Sequence, residues 1–350
     1  MTLVRAPRKV RDTRITLAHG SGGKAMHDLI EDVFVATFDH AALYPLEDQA
    51  RLPLAELITQ GDRLAFTTDS YVIDPLFFAG GDIGRLAVAG TINDLAVGGA
   101  RPLFLSCAII AEEGLDIALL RRVARAMQDT AAEAGVRIVT GDTKVVPRGA
   151  ADKLFINTSG IGVIPAGLSI AADRARPGDA ILVNGTIGDH GVAILQERAD
   201  LGLAAKIASD CQPLNGLVAA LLASCPEVHC LRDATRGGVA TVLNEFAAAS
   251  RLCPRIRETA LPIRDEVRGV CELLGLDPLY IANEGKLVAI VPGRDADHAL
   301  AALRSHPAGR EAAIIGEVAE APEETVLLMT PFGGSRILDM LVGEQLPRIC

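Results

Sequence analysis

The chain has 350 residues, 49% apolar and 22% charged, with a formal net charge of -10. That length and composition suit two packed α/β domains and exclude disorder. The acidic balance excludes binding to a phosphate backbone, so no nucleic acid partner is expected. No apolar run reaches the roughly 20 residues that span a bilayer, so no membrane partner is expected either.

The chain opens on a basic stretch, with five basic side chains and one acid in its first 14 residues. It lacks the apolar core of a signal peptide and reads as an arm before the fold. Seven cysteines, an odd number with no export signal, point to reduced thiols in the cytoplasm. Residues 1–40 form the arm, including a Gly-rich segment. A first domain follows over 41–165. RLAFTT (63–68) predicts a strand ending at Asp69. Ile83–Val97 predicts an apolar helix and Pro102–Ala111 a strand. Ile117–Ala134 repeats apolar residues at helical spacing before Gly135. VRIVTGD (136–142) and KLFINTSGIGVI (153–164) complete the half as strands.

Pro165, Gly167, Pro177 and Gly178 mark a boundary, and a second α/β domain runs over 170–330. Its strands are AILVNG, VHCLRD, YIANEGKLVAIV and AAIIGEVAE. Its helices are GVAILQERADLG and VATVLNEFAAA, the second following a TRGG loop. Residues 331–350 read as a mobile tail hinged at Gly333 and Gly334. Sixteen extended residues beyond that hinge reach roughly 50 Å.

Asp69, Asp142 and Asp233 each follow an apolar strand, and Asp94 lies late in an apolar helix. Carboxylates at strand ends suit Mg²⁺, which prefers oxygen ligands and bridges them to phosphates. Singly, each is a turn or helix cap. As a group beside glycine-rich segments, they point to a metal–phosphate site. HGSGGK (19–24) supplies Gly20, Ser21, Gly22, Gly23 and Lys24. GGDIG (80–84) and RGG (236–238) are the other two glycine segments. Backbone N–H groups there can approach phosphate oxygens, but none is a Walker A loop. Lys144, in GDTKVV beside Asp142 and Thr143, and Glu284, in a strand-like run, have surface ion pairs as their plain reading. Cys211, Cys225, His229 and Cys230 lack the spacing of a zinc site. Cys350 stands out by its terminal address. It is not a prenylation site. Its own α-carboxylate disfavours the thiolate, so reaction needs an activated acyl donor or a neighbouring base.

Taken in order, HGSGG, TTDSYV, FFAGGDIG, TINDLAVGGARP, TGDTKVV, INTSGIG, GDHG, RDATRGG, NEGKLVAIV and QLPRIC closely resemble the HypE family, from His19 to Cys350. The first half also resembles the wider superfamily of aminoimidazole ribonucleotide synthetase, selenophosphate synthetase and thiamine-monophosphate kinase. Ala79 and Ala234 depart from the family's more usual proline. The resemblance implies an α+β type of α/β fold, a homodimer, and an ATP-dependent carbamoyl dehydratase of [NiFe] hydrogenase maturation. It implies that a carbamoyltransferase, HypF, loads Cys350, and that the group becomes a thiocyanate. Cyanide then passes to iron on a HypC–HypD complex. It implies that Asp69, Asp94 and Asp142, joined by Asp48, bind Mg²⁺ and ATP. Lys144 and Glu284 would handle protons near the sulfur. Two alternatives stay open: a superfamily enzyme acting on a free substrate, and a carrier that only displays Cys350.

Overall fold

The computed structural model describes residues 9–43, 46, 49–199, 207–343, 346 and 348–350. Asp48 and the first eight residues of the basic arm lie outside them. Before the first sheet come short helices: α1 (Lys24–Leu29), a π-helical stretch (Ile30–Val35), α2 (Ala36–Phe38) and α3 (Leu54–Ile58). The first half then runs β1 (Arg63–Tyr71), β2 (Phe77–Phe78), β3 (Gly81–Asp82), α4 (Ile83–Val97), β4 (Arg101–Glu112), α5 (Ile117–Ala134), β5 (Arg137–Val146) and β6 (Leu154–Ile164). The second half runs β7 (Ala180–Val183), α6 (Asp189–Arg198), α7 (Asn215–Ser224), β8 (Cys230–Asp233), α8 (Gly238–Ser250) and β9 (Cys253–Arg257). It continues with α9 (Asp265–Leu274), β10 (Leu287–Val291), α10 (Ala296–Ser305), β11 (Ala313–Ala319), β12 (Leu327–Met329) and β13 (Ser335–Ile337).

Two sheets organise these elements, as the alternating pattern predicts. The first has strand order β1-β6-β4-β5, with only β4 and β5 parallel. The second has order β13-β12-β9-β11-β7-β10-β8, with only β9 and β12 parallel. α4 and α5 cover one face of the first sheet. α4 is apolar all round because it is buried all round: β1, β6 and α5 lie on some sides, α7 and β8 of the second half on others. Its Asp82 N-cap accepts from the N–H groups of Gly84 and Arg85. Gly135 closes α5 in the left-handed conformation.

Three expectations about elements need correction. β1 and β5 do not stop at their aspartates: pairing continues through Asp69↔Thr158 and Asp142↔Ala108. Both are edge strands, where a polar side chain remains wetted and does not end the ladder. Residues 281–286 are not strand, because side chains of Asp210, Asn184 and Asn283 take the backbone hydrogen bonds there. Gly333 and Gly334 form the turn between β12 and β13, closed by Thr330 N–H to the Gly334 carbonyl at 2.9 Å. The expected tail therefore starts as an edge strand.

Candidate functional site

Acidic groups gather where the halves meet. β1 brings Asp69, α4 brings Asp94, the end of β8 brings Asp233, and the loop before β10 brings Glu284. Asp94 accepts from the Thr67 hydroxyl at 2.9 Å. Burial and the charge of Asp69 still raise its pKa. Asp233 is pushed up to about 7 by burial and then by Asp94. Glu284 is raised well above the usual carboxylate range by burial and by the surrounding carboxylates of Asp210, Asp233, Asp69 and Asp94. Its Oε1 is buried with no hydrogen-bond partner. Among the described residues, no ion pair neutralises Asp69, Asp94 or Asp233.

The loop carrying Glu284 is held from several sides. The Asp210 carboxylate accepts from the N–H groups of Glu284 (3.0 Å) and Gly285 (3.2 Å) and pairs with Lys286 at 2.9 Å. Asn93 of α4 donates to the Glu284 carbonyl at 3.3 Å and accepts from Leu214 N–H at 2.7 Å. The placement of Glu284 is thereby tied to the helix that carries Asp94.

The tail ends in this place. Cys350 accepts from Val72 N–H at 3.1 Å through its α-carboxylate oxygen, just past β1. Arg348 donates to the Val72 carbonyl at 3.1 Å and pairs with Asp152. Ile349 is buried, and its carbonyl meets His190 at 2.8 Å. Arg236, in the TRGG loop, donates to the Cys350 sulfur at 3.4 Å. Burial and Glu284 nonetheless push the thiol up to about 11.

Lys144 and Asp142 are elsewhere within the chain. Ser70, Asn157, Ala108 and Asp142 are successive partners across the first sheet, so they share one face. Asp69, Tyr71 and Thr143 point to the other face. Lys144 sits on the open face 2.8 Å from Asp142, both half-exposed. HGSGGK lies along the same edge: a Cβ on Gly20 would fall 2.7 Å from Val145 N. A Cβ on Gly22 would meet nothing within 4 Å, Ser21 bonds the Ala18 carbonyl, and Lys24 points to solvent near Asp28. Beside Asp142 and Thr143 an apolar cavity opens, lined by Phe34, Phe38, Leu43 and Val139.

Residues 39–164 match the family described as AIR synthase related protein, N-terminal domain, and residues 176–328 match the corresponding C-terminal domain. The chain is 58% identical to the carbamoyl dehydratase HypE of Rhodobacter capsulatus, over 97% of this chain and 99% of that one. It is 56% identical to the protein of that name from Escherichia coli, over 96% and 99%. The chain belongs to the carbamoyl dehydratase HypE family. It is thereby a dehydratase. A crystal structure of the hydrogenase maturation protein HypE in complex with ATP is similar at a TM-score of 0.90 and 53% identity, covering 95% of this chain and 99% of that one. A HypE–HypF complex contains a chain similar at a TM-score of 0.78 and 43% identity, covering 91% and 100%.

Against the HypE reading of the sequence, the structure brings Asp69, Asp94, Asp233, Glu284 and Cys350 together. It sets Asp142 and Lys144 apart on the open face, with the HGSGGK loop along the β5 edge. It also adds Asn93, His190, Arg236 and Arg348, to which spacing assigned no role. All four lie inside the motifs that carry the resemblance (TINDLAVGGARP, GDHG, RDATRGG and QLPRIC), which was the available signal. Cys211, Cys225 and Cys230 are buried singly, and no group of three or more His, Cys, Asp or Glu is arranged to hold a metal ion among the described residues.

Proposed function

We propose that this chain uses ATP to dehydrate a carbamoyl group held on the sulfur of Cys350, giving a thiocyanate that supplies cyanide for the [NiFe] hydrogenase iron centre. The observation that carries the reading is the docked tail. It sets the terminal sulfur within reach of Glu284's field and of the Arg236 guanidinium. Glu284 has a buried, unpartnered oxygen, and burial raises its pKa, so its carboxylate is a stronger base than an ordinary one.

Atoms balance as follows. The carbamoyl oxygen attacks the γ-phosphorus of ATP, and ADP leaves. One amide proton departs, leaving a carbon–nitrogen double bond and a carbon–oxygen bond to phosphate. The second proton departs as phosphate leaves, and the nitrile forms. The water lost from the carbamoyl group ends in phosphate. Glu284 accepts one of these protons and the departing phosphate carries the other, with the Lys144 ammonium, paired with Asp142, placed to assist that transfer.

The donor set fits Mg²⁺. Asp69 and Asp94 are carboxylates without a cation among the described residues, and burial, then the Asp69 charge, raises the Asp94 pKa. No closed cage is needed, since Mg²⁺ is commonly held by one or two carboxylates with phosphates and waters. When bound, Mg²⁺ neutralises charge on the phosphate oxygens. Asp69 and Asp94, with Asp48 and Asp142, would hold it, and Asp233 sits behind them. The apolar cavity by Phe34 and Val139 suits the adenine ring, with Thr143 in its wall and HGSGGK further along the same β5 edge.

The site is completed by a second copy. The open face of the first sheet exposes Leu64, Phe66 and Ile110. β1 and β5 are its two edges. Pairing β1 of one copy beside β5 of another covers both edges and the apolar face. It also brings Asp142 and Lys144 of one copy to Asp69 and Cys350 of the other. The HypE–HypF complex supports HypF as the partner that loads the sulfur. HypC–HypD is the acceptor in this reading, and seven free thiols suit the cytoplasm.

Intact-mass analysis tests the assignment. Once carbamoylated, the wild-type chain should lose one water on adding Mg²⁺ and ATP. Cys350→Ala should accept no carbamoyl group yet still bind ATP. A wild-type adduct that persists with ATP hydrolysed points to a free substrate. A persistent adduct without hydrolysis points to a carrier.

A further inference from the structure

His190, at the start of α6, is fully buried. Its Nε2 lies 2.8 Å from the Ile349 carbonyl oxygen and its Nδ1 lies 2.8 Å from Ser209 Oγ. A carbonyl only accepts, so Nε2 carries a hydrogen. Burial lowers the pKa of the ring and keeps it neutral. Nδ1 is then bare and takes the hydroxyl hydrogen of Ser209. The same hydroxyl oxygen accepts from Cys211 N–H at 3.1 Å. Phe78 packs edge-on against the ring at 5.6 Å between centroids.

Ser209 also donates its N–H to the Ala79 carbonyl at 2.7 Å, fixing this segment to the FFAGG loop of the first half. Its neighbour Asp210 holds the backbone of Glu284 and Gly285. Hydrogen bonds thus run from the tail backbone beside Cys350 through imidazole to Ser209, and the next residue in the chain, Asp210, carries the link on to the Glu284 loop. Val72 and Asp152 anchor the tail to the first half, while Arg198 and Arg236 hold the Arg348 carbonyl and the Cys350 sulfur from the second without touching the Glu284 loop's hydrogen bonds.

We propose that His190 is a positioning residue that senses the docked tail and sets the Cys350 sulfur in register with Glu284. The inference rests on Cys350 being the reacting group. An undocked tail leaves a buried Nε2–H without its acceptor, which favours docking. Loss of the ring uncouples the tail from the Glu284 loop while leaving the acidic groups in place.

The test uses the full-length protein and iodoacetamide, with each cysteine followed by peptide mass spectrometry. In His190→Ala, Cys350 should be alkylated about tenfold faster than in wild type, the worth of one buried hydrogen bond. Ser209→Ala should do the same, because the ring then has no donor for Nδ1. His190→Gln, whose amide can still donate to the Ile349 carbonyl, should return the rate toward wild type. The other six cysteines, all buried, report unfolding. Carbamoylated His190→Ala should also dehydrate about tenfold more slowly in a single turnover, with its KM for ATP unchanged. Wild-type alkylation of Cys350 in both alanine variants overturns the proposal. So does a glutamine variant as fast as alanine, or uniform labelling of all seven cysteines. A carbamoyl adduct that persists in wild type would instead sink the dehydration reading, and the labelling result would stand.

Discussion

Glu284 and Asp233 show how burial sets chemistry at single residues. Glu284→Gln keeps shape and loses the base. Its carbamoylated form should dehydrate at least about 100-fold more slowly while binding ATP normally. Because the Glu284 pKa is raised, the unprotonated base grows as pH rises, so wild-type turnover should climb along that limb. A glutamine variant with the wild-type pH profile would remove Glu284 from proton handling. Asp233 makes a stability prediction. Its folded pKa, about 7, lies above the ordinary 3.8, so its contribution is fully present below 3.8 and lost as pH rises toward 7. In metal-free protein, Asp233→Asn should therefore gain stability over wild type at about pH 8. The gain should shrink by on the order of 2 kcal/mol at about pH 5. Urea unfolding at both values checks this, and equal gains would show that the carboxyl titrates normally. The aspartates were legible as a group because each interrupts an apolar run. The burial of Glu284 was not. Charges in NEGK read as exposed until Asp210, far away in sequence, takes up its backbone.

At the scale of elements, α4 is where sequence and structure agree best. Ile83–Val97 is apolar enough to be read as a buried helix, and its ends coincide with the structure. Its packing depends on Gly90. A Cβ there would lie 2.3 Å from the Tyr71 hydroxyl oxygen, so the helix rests on β1 only because the side chain is missing. Gly90→Ala should cost about 1–3 kcal/mol by overpacking. Because Asp94 lies one turn further along, ATP binding should weaken too. Unchanged urea unfolding would show that Tyr71 yields freely. Strand ends were less legible than α4. Edge strands tolerate polar residues, so β1 and β5 run past Asp69 and Asp142. The tail misled for a related reason. Its glycines mark a hairpin turn as readily as a hinge, and its anchors (Arg348, Ile349 and Cys350) bind partners known only from the fold.

For the whole molecule, Lys144 lies on the open face of its sheet, apart from the docked Cys350 of the same chain. The pairing of copies proposed above would bring the two groups together, and it separates into two measurements. Phe66 is 71% exposed in the chain and lies on that face in the edge strand β1. Phe66→Glu should give a folded monomer by light scattering, without dehydration of a loaded Cys350. A dimeric variant would place the contact elsewhere. Complementation is more discriminating. Lys144→Ala keeps its sulfur but lacks the amine, and Cys350→Ala keeps the amine but lacks the sulfur. Each alone should be inactive. If a site draws Lys144 from the other copy, a mixed dimer contains one site with both groups intact. Random mixing makes about half the dimers mixed, and each has one good site of two. Co-refolded variants should then recover roughly a quarter of wild-type turnover. If Lys144 serves its own chain's sulfur, no mixture contains an intact site and activity stays at background. That outcome would refute the shared site, and Lys144 would have to cross the sheet edge within one chain.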